Sequence, residues 1–300
     1  MSELIGFDSV DLYIYQILAI DLVIAVAMIS GLRFITGLVA NVDSAEELAS
    51  RDNFAFGVAM AAGIVALALM LTGAISGDPA VSYVKEAANV AMYGVLGLVL
   101  IKTGRLIQDK LIFRELPVQA RIRDGNLAAA LVDAANTLAI GLTLRAVMLW
   151  VESDSVNGLL VVVAAFVATQ LLLGLVSYYR MAVFARRNPG ATLQGALADG
   201  HVAVAIRFLG HMVGVALALT AASGVVSYTM DTLALALLLW FAVTVLFTVL
   251  VSLFAIIARN IILMGINVVE EVDQQHNIGV AAIEAAVYIA VGLFFAALFA

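Results

Sequence analysis

The chain has no cysteine, three prolines and three histidines in 300 residues, and only 12% of it is charged. Without cysteine there is no disulfide, no thiolate metal site, no iron–sulfur cluster and no cysteine nucleophile. The histidines offer little for a metal or haem. His201 and His276 lie at the cytoplasmic boundary, and His201 and His211 are ten apart on one helix, turned about 80° from a shared face. No metal or cofactor is expected. The chain also lacks a phosphate-binding glycine loop, a nucleophile elbow and a paired His/Glu zinc motif, so it is not expected to be an enzyme. Average soluble domains are about 25% charged, and 12% excludes that class. What the chain has instead is apolar surface: 64% of residues are apolar and the mean hydropathy is +1.10.

A helix that crosses a bilayer takes about 20 mostly apolar residues. Eight such runs occur, at 11–39, 54–77, 82–103, 126–150, 157–180, 202–227, 232–257 and 278–299. Pro79, Pro117 and Pro189 all fall between runs, consistent with a residue that removes a helix donor. The segment Met1 to Asp11 is acidic and lacks the basic start of a signal peptide, so the first run is expected to stay as a helix. The expected fold is an all-α polytopic membrane protein with eight transmembrane helices.

Lys and Arg set the orientation. Arg33, Arg51, Lys102, Arg105, Lys110, Arg114, Arg121, Arg123, Arg180, Arg186, Arg187 and Arg259 lie at the ends or links of runs 1–2, 3–4, 5–6 and 7–8. The opposite side has Lys85 and the acids Asp78, Glu152, Asp154 and Asp231. The basic links are therefore expected in the cytoplasm and both termini outside. A net charge of −7 gives a nucleic-acid partner no electrostatic support.

One phrase recurs after each basic link. It reads Asn53-Phe-Ala-Phe-Gly, Asn126-Leu-Ala-Ala-Ala, His201-Val-Ala-Val-Ala and Asn277-Ile-Gly-Val-Ala, at spacings of 73, 75 and 76 residues. Copies two and four agree further, with Asp133 matching Glu284 and Gly141 matching Gly292. The unit is a helical hairpin used four times in one orientation. Two four-helix halves are expected, 1–152 and 153–300. Inverted repeats mark many carriers; parallel ones also fit a ring of hairpins around a central axis. Asn53, Asn126, His201 and Asn277 are expected to cap the even-numbered spans, and the small residues after them to admit close helix packing.

Four two-span hairpins, each with a polar link and then Asn-x-Ala-x-Ala/Gly, resemble the YjfL-like bacterial inner-membrane proteins of domain-of-unknown-function family 350. The resemblance covers nearly the whole chain, which looks like a fused pair of family units; His201 departs from the Asn of the motif. It implies location in the bacterial inner membrane and a helical membrane fold, with no defined reaction. It also implies cytosolic membrane-stress proteins of the phage-shock type as partners, beside the lipid bilayer.

Ionisable groups within spans cost about 2.5–3.5 kcal/mol each on insertion scales and mark function by default. Asp133 and Glu284 lie about 10 Å into spans 4 and 8 at 1.5 Å per residue. Arg207, with His211 one turn on, occupies a similar depth in span 6, and Asn136 follows Asp133 by one turn. Asp133, Asn136, Glu284, Arg207 and His211 are read as a polar cluster. It serves either as a proton or ion path or as an ion-pair lock on helix register. Asp21 stands alone in span 1, as a helix–helix hydrogen-bonding group or a pathway carboxylate. Lys85, Glu86 and Arg145 are expected to snorkel to the outer interface.

The link Lys102–Gly125 alternates charges with Leu106, Ile107, Leu111, Ile112 and Phe113; the link from Arg259 to His276 carries Glu270, Glu271 and Asp273. These segments read as helix extensions or interfacial amphipathic segments, touching lipid headgroups or docking a cytosolic partner. The expected function is ion or small-solute permeation through the bundle or a homo-oligomer of it. The alternative is a non-transporting sensor or scaffold.

Overall fold

The computed structural model describes residues 12–40, 43–76, 80–151 and 156–300, with no side-chain detail at 33–40 and 156–157. The segment Met1 to Asp11, Asp78, Pro79, Glu152, Asp154, the Arg33 side chain and the junction of the halves at 152/153 lie outside the described residues. The elements are α1 (Leu12–Ala40), α2 (Phe54–Ile75), α3 (Tyr83–Ile107), α4 (Val118–Arg123), α5 (Leu127–Trp150), α6 (Val156–Arg187), α7 (Leu193–Ala198), α8 (Val202–Val225), α9 (Leu233–Ile262), α10 (Val268–Asp273) and α11 (Ile278–Phe299). No strand occurs among the described residues. Eight helices are long and apolar enough to cross a membrane: α1, α2, α3, α5, α6, α8, α9 and α11. The chain is a multi-pass integral membrane protein.

The α6 helix outruns its apolar stretch. It continues through Arg187 because Phe184, buried, and Val183, half-buried, keep one side against the protein. Arg180 therefore sits inside a helix and not at its end.

Short helices precede three of the even-numbered spans, and a π-helical turn, Glu46–Ser50, precedes α2. The chain then reverses through one left-handed residue before each cap: Asp52, Gly125, Gly200 and His276, with φ of 48°, 83°, 84° and 57°. Glycine takes this conformation without a Cβ penalty; Asp52 and His276 take it at a cost. Each cap backbone N–H closes back on the preceding turn, onto the carbonyls of Glu47, Arg121, Ala196 and Glu271.

The helices α2, α5, α8 and α11 pack side by side in that order, each against the next. They form a row with α2 and α11 at its ends, not a closed ring. Small residues set the spacing, as close helix approach in a membrane requires. A Cβ on Gly141 of α5 would lie 2.6 Å from Ala66 Cα of α2, and one on Gly210 of α8 would lie 2.3 Å from Ala285 Cα of α11. The middle helices α5 and α8 are the most buried of the spans. In turn α1, α3, α6 and α9 form a second, looser layer in the same order.

Candidate functional site: paired charges and two cavities at the capped end

Each cap side chain accepts from the first turn of its helix: Asn53 from Phe56 N, Asn126 from Ala129 N, His201 from Val204 N and Asn277 from Val280 N. The free side of the cap reaches the following unit. Asn53 Nδ2 donates to the carbonyls of Ile122 (3.0 Å) and Arg123 (3.2 Å). Asn126 Nδ2 donates to those of Leu197 (3.0 Å) and Ala198 (2.9 Å). His201 Nε2 lies 3.2 Å from Asp273 O. Asn277 belongs to the last unit and donates instead to Glu271 Oε2 at 2.8 Å. To accept at Nδ1 and donate at Nε2, His201 must be neutral. Burial pushes its pKa down from 6.5, with the His276 ring stacked 3.6 Å away adding to the shift.

In the second half Arg207 lies at the centre. Its Nε donates to Glu284 Oε2 at 2.6 Å, its Nη1 to Asp273 Oδ1 and its Nη2 to Val268 O at 3.0 Å. Arg259 Nη1 holds the other Glu284 oxygen at 2.8 Å. His211 Nδ1 donates to Arg207 O at 2.7 Å, and its ring lies 3.8 Å from that of Tyr288. His211 Nε2 is buried without a hydrogen-bond partner.

In the first half Asp133 takes a two-pronged bond from Arg105, Nε at 3.0 Å and Nη2 at 2.6 Å, with Gln119 Nε2 at 3.3 Å. Of the residues read as one cluster, the structure joins Arg207, Glu284 and His211. Asp133 belongs to a separate pair. Asn136 and Asp21 are buried, each with an Oδ1 that has no hydrogen-bond partner.

Four participants escaped the sequence reading. Arg105 and Arg259 were placed in basic links, yet they reach back to the acids 28 and 25 residues later. The matched positions of Asp133 and Glu284 were the available signal. Asp273 closes α10 beneath Arg207, and hydropathy carries no sign of that. Arg180 was hidden by the end of its apolar run.

A model of the family described as Domain of Unknown Function (DUF350) matches residues 10–148 and again 154–299. The chain belongs to the DUF350 family. No curated protein and no solved structure matches it. Each DUF350 match holds four of the eight long helices.

The two DUF350 halves carry cavities in corresponding places. The first, about 330 Å³, is lined from α1, α2, α3 and α4, by residues that include Leu32, Gly63, Leu67, Leu98 and Lys102. The second, about 520 Å³, is lined from α6, α8, α9 and α11, by residues that include Arg180, His211, Val215, Ser252 and Ile256. Leu32 precedes Asn53 by the same 21 residues that separate Arg180 from His201. Gly63 and His211 each follow their cap by ten, and Leu67 and Val215 by fourteen. A narrow cleft of about 20 Å³, lined in part by Arg180, Arg187, Arg207 and Asp273, adjoins the second cavity; it is large enough for about one water.

Proposed function

We propose that the protein is a pathway for a small anion or anionic solute, with the second-half cavity as its binding chamber. The observation that carries this reading is the charge balance of that cavity. Arg180, Arg187 and Arg259 line it against one carboxylate, Glu284. Glu284 is already held by Arg207 and Arg259, whereas Arg180 and Arg187 make no ion pair among the described residues. Cations left without a partner in a span are costly, and an anion that visits would offset that cost. His211, Thr248 and Ser252 extend the polar lining inward. His211 lies ten residues into its helix, so about 15 Å deep at 1.5 Å per residue, near the middle of a hydrocarbon core about 30 Å thick. In this reading the Arg207 network holds α8, α10 and α11 as a fixed wall. No catalysis is involved, the membrane is the bacterial inner membrane, the basic end faces the cytoplasm and the termini lie outside.

Purified protein in liposomes tests the reading with chloride, acetate and inorganic phosphate as probes. At least one of them is expected to leak faster than from empty liposomes, and Arg180→Leu to cut that rate about tenfold. Liposomes as tight as protein-free ones for all three would overturn the pathway. The close packing of the row and the full pairing of Arg207 favour a second reading, a non-transporting sensor or scaffold that docks cytosolic stress proteins. That reading predicts tight liposomes and recruitment of such proteins.

A further inference from the structure

The first-half cavity has the opposite chemistry to the second, and the contrast is position by position. Where the second has Arg180 and His211, the first has Leu32 and Gly63 at the same distances from the cap. Where the second has Leu253, the first has Lys102, each 24 residues before its cap. The inner lining is apolar and the charges gather at the mouth, on the end of the bundle that carries the caps. Lys102 is exposed and makes no hydrogen bond or ion pair among the described residues. Lys110 is mostly exposed and only 3.4 Å from Asp109. Asp109, the carboxylate of the lining, is also engaged by the Val118 N–H at 3.2 Å. Arg105 is turned inward onto Asp133. An apolar slot beneath exposed ammonium groups matches a molecule with a hydrocarbon chain and an anionic head.

We propose that this cavity binds one anionic phospholipid, with its phosphate at Lys102 and Lys110 and an acyl chain in the slot formed by Leu32, Met60, Gly63, Leu67 and Leu98. Access is lateral. The α1 helix, which forms one wall, is the least buried of the long helices and stands at the edge of the bundle, so a chain can enter from the bilayer without crossing water. Basic pockets at the cytoplasmic ends of spanning helices suit lipid phosphates, because the anionic leaflet raises the local concentration of the ligand. The slot adds what a bare basic surface lacks, a place for the chain. The site is independent of the anion pathway and stands or falls without it.

The test uses the full-length protein in detergent, with thermal unfolding and native mass spectrometry as readouts. Phosphatidylglycerol is expected to raise the unfolding temperature and to remain bound. Phosphatidylcholine with the same chains, and glycerol phosphate without chains, are expected to do neither. Lys102→Glu with Lys110→Glu should weaken phosphatidylglycerol retention at least tenfold, and Lys102→Arg should retain it. Gly63→Leu leaves the surface charge unchanged and fills the slot; a Cβ there meets only a Leu32 methyl, at 3.6 Å. It should also lose retention while unfolding cooperatively. Equal effects of the two lipids, an equal effect of glycerol phosphate, or full retention in Gly63→Leu would each overturn the proposal.

Discussion

At the scale of single residues, the decisive contacts are between charges taken out of water. Arg207 and Glu284 are each almost fully buried, and their pairing repays desolvation only because every arm of the guanidinium finds an acceptor. Glu284→Ala leaves Arg259 with only the Asn260 amide oxygen and Arg207 with one carboxylate. It is expected to destabilise by about 3–5 kcal/mol, the usual consequence of breaking a buried pair, measured by unfolding of the purified protein. Asp133→Asn should cost less, about 1 kcal/mol, because Arg105 keeps an oxygen acceptor and is partly solvated. His201 makes stability depend on pH. Its cap requires the neutral ring, and its folded pKa lies below 6.5. The unfolded chain therefore binds more protons as pH drops from 6.5 towards the folded value, and stability falls over that window. Below the folded value the loss levels off. His201→Asn restores the residue found at the other three caps and should flatten this part of the profile between pH 7 and 5, as read by thermal unfolding at each pH.

At the scale of elements, the fold was legible because hydropathy and repetition are local. The length of an apolar run sets a spanning helix, and the recurring Asn or His marks where its N-terminus is sealed. What sequence reading missed is how the units join. The donation from Asn53 and Asn126 to carbonyls of the next unit is a contact across about 70 residues, and no periodicity encodes it. The short helices α4, α7 and α10 were also hidden, since six-residue helices in polar links have no apolar run to announce them. The row follows from glycine placement. Gly141 and Gly292, noted only as matched positions, turn out to receive α2 and α8 respectively. Gly210→Val drives a side chain into the Ala285 backbone and should cost about 1–3 kcal/mol by overpacking. Gly31, around which a Cβ would meet nothing within 4 Å, is the control: Gly31→Ala should leave unfolding unchanged or slightly raise it through helix propensity.

At the scale of the molecule, two family units with one architecture have diverged in the chemistry of a shared cavity. The candidate site was half legible for this reason. Asp133 and Glu284 were found from their depth in the spans, whereas Asp273 lies in a polar link and the cavity depends on Arg180 and Arg259, which continue α6 and α9 past their apolar runs. If the divergence sets function, exchanging residues between equivalent positions should exchange properties. Arg180→Leu with His211→Gly gives the second cavity the residues of the first at two of its wall positions. Removing a cation from a span relieves about 2.5–3.5 kcal/mol on insertion scales, and glycine within a helix costs about 1 kcal/mol, so the double variant should fold. Its Arg207–Glu284 pair does not involve either changed side chain. Anion leak from liposomes is then expected to fall to the protein-free level, while stabilisation by phosphatidylglycerol in the first half stays at the wild-type value. Loss of both together would mean that the halves act as one unit, and retention of the leak would place the anion route outside the second cavity.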